Sequence, residues 1–335
     1  MALTDLQGWM PVDAVVVEGR PGLSWMNMAG VELADPFFQQ TVDRLRSEHP
    51  DRRETFAEFD TLIRLEKTFD SVAPTGFIFH SSRCGSTLLS NACRALPGAI
   101  VLSEPPAVDK LLARFVTDTD EHGTKAMLYS LFLRAAINAL AQHRTGQERH
   151  LFVKFACCST MQIERIQRIW PNVPWVFLYR DPVETIVSNM RNRPSWLMDD
   201  HRVLASIIDT RPEEVAQMSA EELCARSIAS FFATAHRVAN DRALLLNYNQ
   251  LSTAEISNVL NFFGIELAPA EMETIARQSQ MYSKAASGAR AFVADAETKQ
   301  QLATGTIREA AERWANKPYQ LLEQKRLGIK NHDVV

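Results

Sequence analysis

The sequence predicts an α/β fold in which a central parallel sheet of about five strands is flanked by helices. From Gly76 onward, short apolar runs bounded by turn residues alternate with longer helical patterns, and this alternation is typical of βαβ units. The chain has 335 residues, of which 46% are hydrophobic and 23% charged, as in an ordinary globular protein with a full core. The predicted strands are Gly76–His80, Ala99–Leu102, His150–Phe155, Val173–Tyr179 and Ala243–Tyr248.

Helical patterns occupy the segments between and after these strands. They lie at Ser86–Leu96, Lys125–His143, Ser159–Trp170, Pro182–Arg191, Ala220–Ala239, Thr253–Phe263, Ala270–Met281 and Gln301–Glu323. We therefore predict one α/β domain over residues 71–335, preceded by an elaboration over residues 1–70 that we place on the substrate side. In this elaboration, Val12–Val17 is predicted as a strand and Pro36–Arg46 as an amphipathic helix. The polar Pro194–Pro212 segment is predicted to be an irregular surface insertion or lid.

Charge and cysteine content limit the classes of partner. The formal net charge is −4, so no global field recruits nucleic acid or an anionic membrane, and the expected partner is a small molecule held by a local cluster of donors. The five cysteines include no Cys-x-x-Cys pair and no zinc-site spacing, which predicts a reduced, cytoplasmic protein without a metal. No signal peptide and no apolar run long enough to span a bilayer are visible, so no membrane association is expected.

The segment Phe77–Leu89 carries the first chemical signal. A strand ends at His80, a loop of small residues follows, and a helix begins near Ser86. Such a turn directs backbone N–H groups and the positive helix end toward one point, which predicts an anion site. Gly85 allows a close backbone approach, and Arg83 adds a fixed positive charge. An ordinary capped turn with a surface arginine is the alternative.

The second signal is the strand Val173–Tyr179 followed by Arg180. Arg180 is expected at the carboxyl end of a central parallel strand, where ligands bind in open α/β sheets. Asp181 is a good N-cap for the next helix, and Glu184 completes a capping-box spacing. Ser188 lies eight residues after Arg180 on the helix face that looks back toward this edge, so the two side chains could grip one phosphate. A surface salt bridge is the alternative role for Arg180.

Together these motifs resemble those of the sulfotransferase family that uses 3′-phosphoadenosine-5′-phosphosulfate (PAPS) and releases PAP. The family's 5′-phosphosulfate loop reads Arg/Lys-Ser-Gly-Thr/Ser-Thr, and Arg83-Cys84-Gly85-Ser86-Thr87 matches it except at Cys84. The family's 3′-phosphate motif, an arginine at a strand end with a serine eight residues later, is reproduced by Arg180 and Ser188. The segment Leu246–Leu251 looks like the family's Arg-Tyr-Glu-Asp-Leu stretch. The resemblance covers residues 76–299 and implies a P-loop, nucleotide-kinase-like sulfotransferase fold.

The resemblance implies PAPS as cosubstrate, PAP as product and no metal. Late in the chain many family members carry an Arg-Lys-Gly loop over the 3′-phosphate, and here Lys284 and Arg290 are the candidates, with a solvated loop lysine as the alternative. A thiol is a poor hydrogen-bond donor, so at Cys84 the backbone N–H groups must supply more of the hydrogen bonds to the phosphosulfate. The implied nucleotide-binding residues are Arg83, Cys84, Gly85, Ser86, Thr87, Leu88, Arg180, Ser188, Tyr248, Lys284 and Arg290.

Three residues are assigned to the reaction, which needs cations on the leaving side and a base on the acceptor side. Arg83 is assigned to the leaving phosphate. Glu104 follows the second strand, Pro105 is expected to hold it extended, and some bacterial members that look like this one use a glutamate there as the base. Lys154 ends an apolar strand, where a buried ammonium demands a partner, and it is assigned to the sulfuryl oxygens or an acidic acceptor. His80 is the first rival for the base.

Two other functions stay open at this point. A nucleotide-kinase-type phosphotransferase would share the fold class, but it needs a Walker lysine that the first loop lacks. A non-catalytic nucleotide-binding module is the second alternative. The acceptor is expected to be a small molecule with a hydroxyl or an amine. The specificity for this acceptor is expected to come from residues 1–70, a loop at 110–125 and the 194–212 segment. Besides His80, His122 and His143 are alternative candidates for the general base.

Overall fold

The computed structural model describes residues 6–117, 123–198, 200–279 and 295–329. The strands in these ranges are β1 (Trp9–Val17), β2 (Arg20–Asn27), β3 (Glu54–Glu58), β4 (Pro74–His80), β5 (Ala99–Ser103), β6 (His150–Lys154), β7 (Trp175–Tyr179) and β8 (Ala243–Asn247). The α-helices are α1 (Phe38–Glu48), α2 (Phe59–Leu65), α3 (Ser86–Arg94), α4 (Pro106–Thr117), α5 (Thr124–Leu140), α6 (Ile163–Ile169), α7 (Pro182–Arg191), α8 (His201–Ile207), α9 (Pro212–Val215), α10 (Ala220–Val238), α11 (Thr253–Phe262), α12 (Pro269–Ser279), α13 (Ala296–Leu302), α14 (Gly305–Ala310) and α15 (Asn316–Arg326).

The predicted parallel sheet is confirmed. Its order is β5-β6-β4-β7-β8, and every neighbouring pair is parallel. Alternate residues of the strands enter different cores: Phe79 and Phe177 pack on one face, and Ile78 and Val176 on the other. Both faces are therefore covered, which explains why these strands read as continuous apolar runs. All five carboxyl ends meet at one edge of the sheet.

The N-terminal region forms a separate antiparallel sheet, β1-β2-β3. The predicted strand lies within β1, whereas β2 and β3 were not predicted. Positive φ angles at Glu18 (51°) and Gly19 (78°) form the tight turn that joins β1 to β2. On one face of this sheet, Trp25 belongs to a hydrophobic cluster that also contains Leu111 of α4 and Phe132 of α5. The predicted amphipathic helix is α1, and it buries Val42 and Leu45 in the main core.

Two loop predictions are wrong. The 194–212 segment is largely helical and buries Leu197, Leu204 and Ile207, because apolar residues recur at helical spacing among its polar ones. Residues 110–117 of the expected 110–125 loop belong to α4, whose Val108 and Leu112 enter the main core one turn apart. The predicted late helix is also interrupted, since a π-helical turn over Ala311–Ala315 separates α14 from α15.

Candidate active site

Polar side chains follow the carboxyl ends of all five parallel strands. In the order of the sheet they are Glu104 after β5, Lys154 at the end of β6, His80 at the end of β4, Arg180 after β7 and Tyr248 after β8. We call these five residues the edge row. Because neighbouring strands are in register at their ends, the row brings together side chains that lie far apart in the sequence.

The loop between β4 and α3 has the geometry of an anion cradle. Ser82, Arg83 and Gly85 all have positive φ angles, of 73°, 52° and 85°, so the chain turns sharply before α3 begins. Ser86 and Thr87 occupy the first turn of α3 and are buried. The N–H groups of a first turn have no acceptor within their own helix, so here they are directed toward the loop.

Gly85 is required at its position by space as well as by backbone conformation. A Cβ atom added there would lie 2.5 Å from Cδ2 of Leu251 and 3.2 Å from Cδ2 of Tyr248. The backbone of the cradle therefore packs directly against the segment that follows β8. Tyr248 reaches in the other direction to Arg180, whose Cζ lies 4.0 Å from the centre of the tyrosine ring. One aromatic ring thus separates the cradle from Arg180.

Two side chains of the loop form hydrogen bonds with other parts of the protein. Sγ of Cys84 is buried and donates to the carbonyl oxygen of Leu178 at 3.2 Å, and burial raises the pKa of this thiol. Only the main chain of Cys84 is then left to face a ligand. The Arg83 guanidinium donates to the side-chain oxygen of Asn189 at 3.3 Å and to the carbonyl of Asn192, near the end of α7.

Arg180 is buried and surrounded by partners. Its Nε donates to Oε2 of Glu184 at 2.6 Å, and its Nη2 donates to Oδ1 of Asp295 at 2.6 Å. Asp181 caps α7 as predicted, with Oδ1 accepting from the backbone N–H of Glu184 at 3.1 Å. The Glu184 side chain does not close the predicted capping box, because it is engaged by Arg180. Burial disfavours the arginine's charge, but the contacts with its two carboxylates outweigh that effect and raise its pKa.

The remaining predicted nucleotide-binding residues are distributed as follows. Ser188 lies in α7, nearly two turns from its start, and is partly buried. Leu88 lies in the first turn of α3 with its backbone N–H donating to the carbonyl of Gly85 at 2.9 Å, so only the N–H groups before it remain for a ligand. Lys284 and Arg290 lie outside the described residues.

The other half of the edge row is a compact charged cluster. Nζ of Lys154 contacts Oε1 of Glu104 and lies 3.4 Å from Oγ of Ser103. Nε2 of His80 lies 3.4 Å from the same glutamate oxygen. Only 1% of the Lys154 side chain is exposed, against 27% for Glu104, so the carboxylate forms the solvent side of the pair. The buried lysine thus has the partner that its position demands.

Glu104 is held in its ionised form. Burial disfavours its charge, but Lys154 and His80 more than compensate, so the pKa of Glu104 lies well below its usual range. The expectation of an extended backbone before Pro105 is wrong, since Glu104 has a φ of 51°. Its N–H donates to the carbonyl of Lys154 at 2.7 Å, and this bond ends the β5–β6 pairing and turns the side chain toward Lys154.

The hydrogen bonds of His80 specify its tautomer. Nδ1 accepts from the backbone N–H of Ser82 at 3.1 Å, which places the proton of the neutral ring on Nε2, facing Glu104. In this tautomer the Nε2–H group of His80 faces Glu104, so this nitrogen has no lone pair to act as a base. Of the other histidines considered as the base, His143 precedes β6 at the opposite edge of the sheet. Its Nδ1 lies 3.5 Å from Oε2 of Glu148. His122 lies outside the described residues.

Asp109 was missed by the sequence analysis because the start of α4 was not predicted. Its Oδ1 accepts from the backbone N–H of Ala156 at 3.3 Å and from Oγ of Ser159 at 3.4 Å, both just beyond Lys154. Burial, together with the nearby charge of Glu104, raises the pKa of Asp109 to about 7. A helix predicted directly after Glu104 would have placed this carboxyl near the same edge.

The N-terminal region reaches the edge row through Phe37, which precedes α1. The centre of its ring lies 4.5 Å from Nζ of Lys154. A groove of about 1330 Å³ has walls from the β1–β2 hairpin, α4, α5 and residues 200–212, and neither Phe37 nor any residue of the edge row lines it. Helix α4, which begins two residues after Glu104, contributes Lys110 and Arg114 to this groove.

Comparison with known proteins identifies the family. The model of the sulfotransferase family matches residues 74–269, more than half of the chain, and the protein belongs to this family. No curated protein sequence is significantly similar to it. Among solved structures it is similar to a sulfotransferase from Alicyclobacillus acidocaldarius, with 14% identity and a TM-score of 0.39 over 62% of this chain and 93% of that one. It is also similar to mouse sulfotransferase SULT7A1 complexed with PAP, with 13% identity and a TM-score of 0.41 over 83% of this chain and 94% of that one.

A third similar structure is retinol dehydratase in a complex with retinol and PAP, with 13% identity and a TM-score of 0.38 over 81% of this chain and 88% of that one. At these identities and TM-scores, the family assignment rests on the family model.

Among the described helices, none is long and apolar enough to cross a membrane. The described ranges also contain no group of three or more histidine, cysteine, aspartate or glutamate side chains arranged to hold a metal ion.

Proposed function

We propose that this protein transfers a sulfuryl group from PAPS to a hydroxyl or amine of a small acceptor. The observation that carries the proposal is the position of the Gly85 cradle and Arg180 on either side of the Tyr248 ring. A nucleotide with phosphates on both its 5′ and 3′ positions needs two anion-binding elements a short distance apart. Membership of the sulfotransferase family supports the same nucleotide class.

The residues of the cradle fit a phosphate group. The positive φ angles of Ser82, Arg83 and Gly85 turn the loop sharply, and the first turn of α3 supplies N–H groups and the hydroxyls of Ser86 and Thr87 beside it. We assign these groups to the 5′ side of the nucleotide, and Arg180 with Ser188 to the 3′-phosphate. Lys284 and Arg290 remain proposed contacts on that side. PAPS would supply an activated sulfuryl group on its 5′-phosphate.

Glu104 is the proposed general base. It takes the proton of the acceptor as the acceptor's lone pair forms a bond to sulfur in line with the leaving group. The bond from sulfur to the 5′-phosphate oxygen breaks, and that oxygen keeps the electron pair, with Arg83 and the first-turn N–H groups as its stabilising partners. Lys154 donates to the sulfuryl oxygens. Because contact with Lys154 lowers the pKa of Glu104, engagement of Lys154 by the sulfuryl group makes Glu104 more basic when a base is needed.

The acceptor is assigned to the side of the edge row that faces the N-terminal region. Phe37 covers Lys154 there, and the groove beside α4 is lined by residues from the same three parts of the chain that the sequence analysis assigned to specificity.

All five cysteines are free thiols, which supports a reducing, cytoplasmic location.

Binding calorimetry with PAP, ADP and AMP tests the nucleotide class. We expect PAP to bind at least tenfold more tightly than AMP, a difference of about 1.4 kcal/mol, because the 3′-phosphate has dedicated donors. Equal affinities for PAP and AMP would rule out the two-phosphate site. Release of PAP from PAPS in the presence of a panel of phenols, alcohols and amines then tests the transfer itself.

A further inference from the structure

The Asp295 carboxylate is held by two cations at once. Its Oδ1 accepts from Nη2 of Arg180 at 2.6 Å, and its Oδ2 accepts from Nζ of Lys299 at 2.8 Å. Both oxygens of one anion are therefore bound by separate positive groups, which is how a phosphate would be bound at the same place. Lys299 is a cation next to Arg180 that the sequence analysis did not assign to any site.

Exposure distinguishes the two carboxylates that contact Arg180. The Glu184 side chain is 6% exposed, and the Arg180 side chain 3%. The Asp295 side chain is 44% exposed, so it lies on the solvent side of the guanidinium. Displacing Glu184 would leave a buried carboxylate without a partner, whereas Asp295 can turn into water at little cost. Asp295 is therefore the replaceable partner of the pair.

The charges around Arg180 allow such an exchange. Arg180 and Lys299 carry two positive charges, which Glu184 and Asp295 balance. The Lys299 side chain is only 9% exposed and needs an anion beside it. Burial works against the charge of Asp295, but the contacts with Lys299 and Arg180 outweigh it and lower the pKa of Asp295, which keeps it ionised at neutral pH. A phosphate that replaced Asp295 would leave both cations paired.

We propose that Asp295 is an internal competitor that occupies the anion site of Arg180, and that Lys299 joins Arg180 in binding the 3′-phosphate once this carboxylate is displaced. The inference rests on the proposed function, since it takes Arg180 to be the 3′-phosphate residue. It adds one ligand-binding residue, Lys299, and one residue that weakens binding, Asp295.

Calorimetric titration of Asp295→Asn with PAP tests the competitor. The amide keeps the shape but loses the charge, so we expect the Kd for PAP to fall about three- to tenfold while the Kd for AMP stays constant. Glu297→Gln is the matched control, because it removes the same charge from an exposed position in α13, the helix whose N-cap residue is Asp295. The control should leave both Kd values unchanged. Asp295→Ser, with the same expectation, serves if thermal unfolding shows that the amide variant does not fold.

Lys299→Gln tests the added ligand. If Lys299 binds the phosphate, the substitution raises the Kd for PAP about tenfold. The same increase is expected in the Asp295→Asn background, where Lys299 has no Asp295 carboxylate to hold. If Lys299 only retains Asp295, the substitution leaves PAP binding unchanged or tightens it, and the assignment of Lys299 is wrong. Wild-type protein that binds PAP no better than AMP contradicts the proposed function. Wild-type preference for PAP together with an Asp295→Asn variant that binds it equally or more weakly contradicts this inference alone.

Discussion

Nε of Arg180 donates a hydrogen bond to the Glu184 carboxylate at 2.6 Å, and both side chains are almost completely buried. The arginine that the family resemblance assigns to the nucleotide is therefore also part of the folded core. Removing one member of a buried ion pair leaves the other without a partner. A loss of nucleotide binding in an Arg180 variant consequently has two possible causes, the loss of a contact with the nucleotide and the loss of stability.

Arg180→Ala should lower the free energy of unfolding by about 3–5 kcal/mol, because the Glu184 carboxylate stays buried and unpaired. The double variant Arg180→Ala with Glu184→Gln should recover a large part of that loss, since no unpaired charge remains. Urea unfolding of both variants measures this. Ser188→Ala should leave stability unchanged and weaken PAP binding by about 1 kcal/mol, the contribution of one hydrogen bond. An Arg180→Ala variant as stable as wild type would contradict the buried pair.

Glu104→Gln should reduce turnover about 10²–10⁴-fold and leave the Kd for PAP nearly constant, because the amide keeps the shape and loses the basicity. The steady-state rate of PAP release measures turnover once an acceptor is found. Since Lys154 loses its counter-charge in this variant, thermal unfolding must accompany the assay. Turnover within a few-fold of wild type would transfer the role of base to Asp109 rather than to His80, whose Nδ1 already accepts from Ser82.

Phe37→Ala should raise the KM for the acceptor without changing the Kd for PAP, because it removes the ring that covers Lys154 on the proposed acceptor side. A desolvated cation–π contact contributes about 2 kcal/mol. Phe56→Ala is the matched control: its ring also receives a cation, Arg20 at 5.9 Å, but it lies in the antiparallel sheet. Equal effects of the two substitutions on KM would show that the N-terminal region does not face the acceptor.

Asp109→Asn should change the pH dependence of stability. The folded pKa of Asp109 is about 7, and the pKa of an unfolded aspartate is about 4. Between these values the folded protein keeps a proton that the unfolded chain has lost, so the free energy of unfolding falls as pH rises through this window. The variant lacks this decrease, and its stability relative to wild type should increase from pH 4 to pH 7.

Urea unfolding at a series of pH values measures the effect, with Asp51→Asn in an exposed turn as the control. Parallel curves for Asp109→Asn and wild type would show that burial does not perturb this carboxyl.

The sheet and the strand ends could be predicted from sequence because they depend on local patterns. Apolar runs such as Trp175–Tyr179 end at a polar residue, and parallel strands bring all such ends to one edge. For this reason the sequence alone was enough to place Glu104, Lys154 and Arg180 at the same edge. Their chemical roles remain predictions.

The partners of these residues could not be predicted, because they depend on how distant segments return to the sheet. Asp295 lies 115 residues from Arg180, and no local pattern joins them. Phe37 meets Lys154 only because α1 packs into the main core. Asp109 was within reach of sequence reasoning, because the apolar residues Val108, Leu111 and Leu112 recur around it at helical spacing.

Each strand of the parallel sheet contributes one member of the edge row, so no smaller part of the sheet carries a complete site. A nucleotide held by the Gly85 cradle and Arg180 must then be released before β4, β7 or β8 can separate. Binding should therefore slow amide hydrogen exchange in these three strands by the same factor, 1 + [L]/Kd, which is RT ln(1 + [L]/Kd) in free energy. The exchange of the β1–β2 hairpin should be unaffected where it opens independently.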